Sequence, residues 1–201
     1  MHCSAVIAAA GLGSRMRAFK PTMALNHETM IERLIRVFRE AGVRETVVVA
    51  GHRAEELAEH IRPYGVTWCV NRDYATTEMF DSICLGCQHL TLPYDRVFVT
   101  PVDIPLVRVE TLRALQRAEG DVIRPRWGGK SGHPILLAAS VVDKMMDYDG
   151  TDGLRGAIYA LSEAMVDLPV DDRAVLLDAD TPEAYRRLRA YEADREDGSL
   201  A

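Results

Sequence analysis

Six consecutive apolar residues, Ala5-Val6-Ile7-Ala8-Ala9-Ala10, run straight into Gly11-Leu12-Gly13-Ser14-Arg15-Met16, with Lys20-Pro21 just beyond. An unbroken apolar run, rather than an alternating one, is the pattern of a strand covered on both faces, as in a parallel sheet flanked by helices. Glycines at its end let backbone N–H groups approach a phosphate closely, and Arg15 and Lys20 add fixed cations at the edge. The stretch therefore reads as a triphosphate site. Its candidate residues are Ala9, Ala10, Gly11, Leu12, Gly13, Ser14, Arg15 and Lys20.

The rest of the chain repeats the strand-and-helix alternation. Residues 29–40 place Met30, Ile31, Leu34, Val37 and Phe38 at helical spacing and stop at Gly42. Residues 45–50 are a β-branched run. A helix follows over 53–61, a strand over 66–70, a polar loop over 71–77 and a helix over 79–90. Residues 96–100 form a fourth strand ending in Pro101-Val102-Asp103-Ile104-Pro105. Helices over 109–118, 151–162 and 182–191, with short extended segments at 121–124 and 134–137, complete the pattern. Strands alternating with helices predict an α/β fold, a three-layer Rossmann-like sandwich around a mostly parallel sheet. One domain over 1–191 is expected, and the charged, small residues 192–201 are expected to fray.

Composition excludes several classes. The net charge of −6 argues against a general nucleic-acid binder or a protein of anionic membranes. No apolar run is long enough to span a bilayer, and no signal-peptide order is visible, so a cytoplasmic location is the default. Four cysteines in 201 residues do not make a disulfide framework. A monomer or small homo-oligomer is expected.

In parallel sheets ligands bind at the carboxyl ends of the strands, where residues 11–20, 71–82 and Asp103 all fall. The glycine loop is not a dinucleotide fingerprint: Met16 stands where a third glycine is needed, and Ala50-Gly51-His52 stands where an acidic residue should end the second strand. The Walker spacing is absent too. A tight strand-to-helix turn with no ligand is the plain alternative. Asp103, held between prolines at a strand end, suits a Mg²⁺ that bridges nucleotide phosphates, although a turn aspartate would look the same. Of Asp178 and Asp180, just before Thr181-Pro182, one reads as a helix cap and the other as a second carboxylate for the metal. Cys84-Leu85-Gly86-Cys87 has the spacing of a metal or redox pair, but no second pair exists and burial of two small apolar residues explains it better. Met79 and Phe80 read as helix core rather than ligand contacts. Arg124, Arg126 and Lys130 form either a basic rim for an anionic acceptor or a solvated loop.

Gly11-x-Gly13-x-Arg15-Met16 with Lys20 resembles the signature of nucleotidyltransferases of glycosyltransferase-A-like fold, specifically the molybdenum-cofactor branch and its cytidylyltransferases. Pro101-Val102-Asp103-Ile104-Pro105-Leu106-Val107, Gly132-His133-Pro134, Thr151-Asp152-Gly153-Leu154-Arg155 and Asp178-Ala179-Asp180-Thr181-Pro182-Glu183 follow in family order, so the likeness covers nearly the whole length. Two departures stand out: Arg17 replaces a usual glycine, and Glu78-Met79-Phe80-Asp81 replaces glycine and small residues.

The resemblance implies a Mg²⁺-dependent transfer of a nucleoside monophosphate, CMP from CTP, onto a phosphorylated acceptor such as molybdopterin. Arg15, Lys20 and Asp103 would be catalytic, and Asp103 and Asp178 would hold the metal. Asn71 and Ser82 would lie beside the nucleobase, and His133 would contact the acceptor phosphate. A phosphosugar or phosphocholine-like acceptor on the same fold is the nearest rival. A nucleotide-binding regulator without turnover is the rival of another class.

Overall fold

The first apolar run forms β1 (Cys3–Ala8), an interior strand of the sheet and not an edge. The computed structural model describes residues 1–11, 13, 16 and 18–196. A small hairpin, β2 (Ala24–Leu25) and β3 (Glu28–Thr29), leads into α1 (Met30–Glu40), β4 (Glu45–Ala50), α2 (Ala54–Ile61) and β5 (Thr67–Val70). The chain continues through α3 (Met79–Gln88), β6 (Arg96–Pro101), α4 (Val109–Arg117), β7 (Val122–Trp127), β8 (Lys130–Ser131) and β9 (Ile135–Ala138). It ends with α5 (Ala139–Met145), α6 (Gly153–Leu161), β10 (Met165–Pro169) and α7 (Pro182–Glu196).

The sheet order is β10-β7-β9-β6-β1-β4-β5, with β8 paired to β7. β1 runs parallel to both β4 and β6, β4 parallel to β5, and β7 parallel to β10. Successive residues of β1 divide between two cores, as a pleated strand requires. Ala5 and Ile7 join the layer of α1, α2, α4 and α7, whereas Val6 joins the layer of α3, α5 and α6. The expected mostly parallel α/β sandwich is what forms.

Helix α1 shows which forces set an element. Met30, Ile31, Leu34, Ile35, Val37 and Phe38 are buried on one side, each side chain contributing about 1.5–3 kcal/mol before entropy is counted. Thr29 and Glu32 form a capping box, worth about 1 kcal/mol. Packing therefore holds the helix, and the cap decides where it starts.

Helix α3 crosses β1 and β4 at Gly86. A Cβ there would overlap the Val6 side chain and lie 2.7 Å from Val49 Cγ2. Overpacking of this kind costs about 1–3 kcal/mol, and the helix-propensity gain of alanine, at most about 1 kcal/mol, does not offset it. Gly86→Ala is expected to lower stability by about 1–2 kcal/mol in urea unfolding. The flanking thiols are free, Cys87 buried and Cys84 half-buried, and burial pushes Cys84 up to about 11 and Cys87 up to about 12, away from the reactive thiolate.

Three features depart from expectation. β9 pairs antiparallel with β6 and β7, because the connection from Trp127 to Ile135 is too short for a parallel crossover. α5 and β10 escape the periodicity reading; α5 has seven residues, and the five of β10 are largely half-buried. α7 continues through Glu196, past the boundary drawn at residue 191. Glu192 is buried and paired with Arg33, which anchors the helix where fraying was expected; residues 197–201 lie outside the described residues. Among the described residues no helix is long and apolar enough to cross a membrane.

Candidate active site

Successors of β1 leave it on opposite sides, β4 on one and β6 on the other, which makes their carboxyl edge the switch point of the sheet. The loop after β1 and the Asp103 turn after β6 meet there, tied by Val102 N–H donating to the Ala8 carbonyl at 3.0 Å. Gly13 sits at φ +59°, and a Cβ there would lie 2.8 Å from the Ala18 carbonyl oxygen, so the loop needs glycine at this point. Leu12, Ser14 and Arg15 lie outside the described residues, so the expectations placed on them rest on the sequence.

Lys20 opens a short 3-10 turn (Lys20–Thr22) between two buried neighbours, Phe19 and Pro21. Its ammonium donates to Asp103 Oδ2 at 2.8 Å and to Asp180 Oδ1 at 2.6 Å. Ala179 N–H donates to the Asp103 carbonyl at 3.0 Å, which brings the loop before α7 onto the β6 turn. Burial pushes the Asp103 carboxyl up; Lys20 pulls it down and the Asp180 carboxylate pushes it up again, leaving it above the usual range. Burial acts to lower the Lys20 pKa, but its two carboxylate partners outweigh that and hold the ammonium charged. Of the sequence candidates, Lys20 and Asp103 are thus brought together.

The carboxylate that joins Asp103 at Lys20 is Asp180, not Asp178. Asp178 is exposed and accepts the Asp180 N–H at 3.2 Å, which shapes the loop instead of facing Lys20. Neither aspartate caps α7: the Thr181 hydroxyl accepts from Ala184 N–H at 3.1 Å, with Pro182 in the first helical position. The two candidate aspartates are two residues apart, and only the fold shows which one turns inward.

A cavity of about 180 Å³ opens beside this cluster, lined by Ala9, Ala10, Gly11, Gly13, Lys20, Asp103 and, from the first turn of α3, Ser82. Asn71 does not line it. Its buried amide donates to Thr77 Oγ1 at 2.9 Å and Ser82 Oγ at 3.0 Å, and its Oδ1 accepts from Asp73 N–H, so it knits the loop and aims Ser82. Tyr74, Thr77 and Glu78 also line the cavity; they lie in the 71–82 segment expected at the ligand edge, without an expected role of their own. Phe80 is buried as expected. Met79 is not core: it is exposed and lines this cavity and the next.

The second cavity, about 390 Å³, lies within the range of small-molecule sites, roughly 300–1,000 Å³. Arg124, Arg126 and His133 line it, and Lys130 does not. His133 has a buried Nδ1 with no partner. Burial holds its pKa at about 4, so at neutral pH the ring would meet an acceptor group without a charge of its own. Its unfolded pKa is about 6.5, so between pH 6.5 and 4 the unfolded state binds more protons and stability falls as the pH is lowered. His133→Gln is expected to remove about 2–3 kcal/mol of that acid-side loss, measured as urea unfolding at pH 7.5 against pH 4.5.

Two carboxylates that already bracket a cation, in hard-oxygen surroundings, suit Mg²⁺ or Mn²⁺. Among the described residues no group of three or more potential ligand side chains converges, so nucleotide phosphates would have to supply further oxygens. Comparison with known proteins points to nucleotidyl transfer. The model of the MobA-like NTP transferase domain matches residues 5–165. The molybdenum cofactor cytidylyltransferase of Escherichia coli K12 is 25% identical over 182 residues, covering 90% of this chain and 92% of its own. A nucleotidyl transferase from Methanothermobacter superposes with a TM-score of 0.83 at 25% identity, covering 96% of this chain and 99% of that one. A Mycobacterium tuberculosis protein solved in complex with manganese gives a TM-score of 0.79 at 22% identity, covering 94% and 99%.

Proposed function

Because the chain belongs to the MobA-like NTP transferase domain family, we propose that it transfers CMP from CTP to a phosphorylated acceptor such as molybdopterin, releasing pyrophosphate in a Mg²⁺-dependent reaction. The observation that carries this reading is the Lys20–Asp103–Asp180 cluster beside the glycine loop at the switch point of the sheet. The choice of CTP and of the acceptor draws on the name of the E. coli relative.

An oxygen of the acceptor phosphate attacks the α-phosphorus in line; a new P–O bond forms and the bond to the bridging α–β oxygen breaks. No covalent intermediate is required, so the protein contributes position and charge. The loop at Gly11 and Gly13 lets the triphosphate approach the backbone. Lys20 reaches the same cleft and can transfer its hydrogen bonds from the aspartates to phosphate oxygens, stabilising the charge that builds on the leaving pyrophosphate. Asp103 and Asp180 would hold the divalent cation. When bound, that cation supplies neutralisation of the triphosphate oxygens. Ser82, aimed by Asn71, lies where it could read an edge of the base.

Pyrophosphate release with Mg²⁺ across CTP, GTP, ATP and UTP, each with molybdopterin, phosphocholine and a phosphosugar, tests the reading. Release with CTP and molybdopterin is expected. Preference for another base or acceptor would replace those assignments, and nucleotide binding without release from any pair would make the protein a regulator.

A further inference from the structure

The second cavity shares only Met79 with the first among the described residues, and contains none of Lys20, Asp103 and Asp180. Three arginines line it against one carboxylate, Asp167. Arg124 is committed: its Nε donates to Asp167 Oδ1 at 2.8 Å, and its guanidinium lies 5.4 Å from the Tyr159 ring centroid. Ser131 Oγ donates to the same carboxylate oxygen at 3.0 Å.

Arg126 and Arg155 differ. Both are exposed, and among the described residues neither meets a carboxylate within ion-pair distance. The Arg155 guanidinium lies 5.9 Å from the opposite partner of Arg124, the Tyr159 ring, which stiffens a long side chain at the cavity wall. His133 is neutral and adds no charge. Three guanidiniums therefore share one concavity with a single carboxylate, Asp167, which feels both Arg124 and Arg126, in a chain whose net charge is −6. Such an excess of positive charge draws anions, and guanidiniums suit oxyanions by geometry as well as charge.

We infer that Arg126 and Arg155 clamp an anionic group of the acceptor other than the phosphate that attacks the nucleotide, so that the acceptor carries at least two anionic groups. The attacking group must lie at Lys20 and Asp103, in the first cavity, and the clamp lies beyond Met79 from it. This inference rests on the first cavity being the nucleotide site.

Calorimetric titration with inorganic phosphate, on protein already saturated with CTP and Mg²⁺, tests it. Wild type is expected to bind phosphate. Arg126→Gln and Arg155→Gln should each weaken that binding about tenfold, with CTP affinity unchanged. Lys130→Gln, the same charge change one residue outside the cavity lining, should stay within about twofold of wild type. Phosphate binding that CTP abolishes, or that all three substitutions weaken equally, would overturn the clamp while leaving the nucleotide site standing. Failure of CTP to bind would overturn the nucleotide reading and the acceptor assignment with it. An adventitious ion only, bound with arginine-independent affinity, would also overturn the clamp.

Discussion

Asp103→Asn is expected to lower kcat by about 10³-fold or more while leaving the protein folded and at least as stable as wild type. The kinetic loss follows from removing a carboxylate that would hold the divalent cation, whose charge stabilisation is worth several kcal/mol in the transition state. The stability result follows from the same residue's surroundings. Burial and the nearby Asp180 carboxylate hold the Asp103 pKa above the ordinary range, so the folded state disfavours its charge, and a neutral isostere relieves that cost. Lys20 keeps Asp180 as a partner at 2.6 Å. Steady-state kinetics beside thermal unfolding check both halves. Asp178→Asn, on the exposed aspartate two residues from Asp180, should change neither by more than about twofold or 0.5 kcal/mol.

Lys20→Met is expected to lower kcat by about 10²-fold, the usual cost of losing one pre-positioned charge donor at the site of developing negative charge. Its effect on stability should be the reverse of that at Asp103. Without the ammonium, the Asp103 and Asp180 carboxylates face each other uncompensated, at a cost on the order of 2–3 kcal/mol at pH 7.5. The pKa of that pair rises, so protonation on lowering the pH should restore stability; Mg²⁺ should restore it too. Thermal unfolding at pH 5 and 7.5, with and without Mg²⁺, reads this directly. A Lys20→Met protein as stable as wild type at pH 7.5 would mean that the carboxylates are not held together as the structure has them.

Much of the fold was legible because burial leaves a periodic trace. β1, β4 and β6 each carry an unbroken apolar stretch, residues 5–8, 47–50 and 97–99, and α1 carries its buried face at helical spacing behind a capping box. β9 was harder, since its direction depends on the length of the connection from β7 and not on its own residues. α5 and β10 are too short to show a period, and the end of α7 is fixed by a distant ion pair between Glu192 and Arg33. At the site, Lys20 and Asp103 were legible because glycines and prolines around them fix the backbone at strand ends. The choice between Asp178 and Asp180 was not, because loop curvature decides which side chain turns inward. Asn71 looked like a ligand contact for want of any sign that Thr77 and Ser82 would occupy its amide. His133 was expected as an anion contact because its residue type permits charge, and only enclosure removes that charge. Arg155 lay inside a family motif, but Tyr159, which stacks against it, left no trace.

The central claim is that the cleft at Lys20, Asp103 and Asp180 takes a nucleoside triphosphate together with a divalent cation. Calorimetric titration of CTP into wild type and Asp103→Asn, each with and without Mg²⁺, tests it most directly. The account predicts tight binding to wild type only when Mg²⁺ is present, with most of that dependence lost in Asp103→Asn. Equal CTP affinity with and without Mg²⁺, or equal Mg²⁺ dependence in the two proteins, would contradict it.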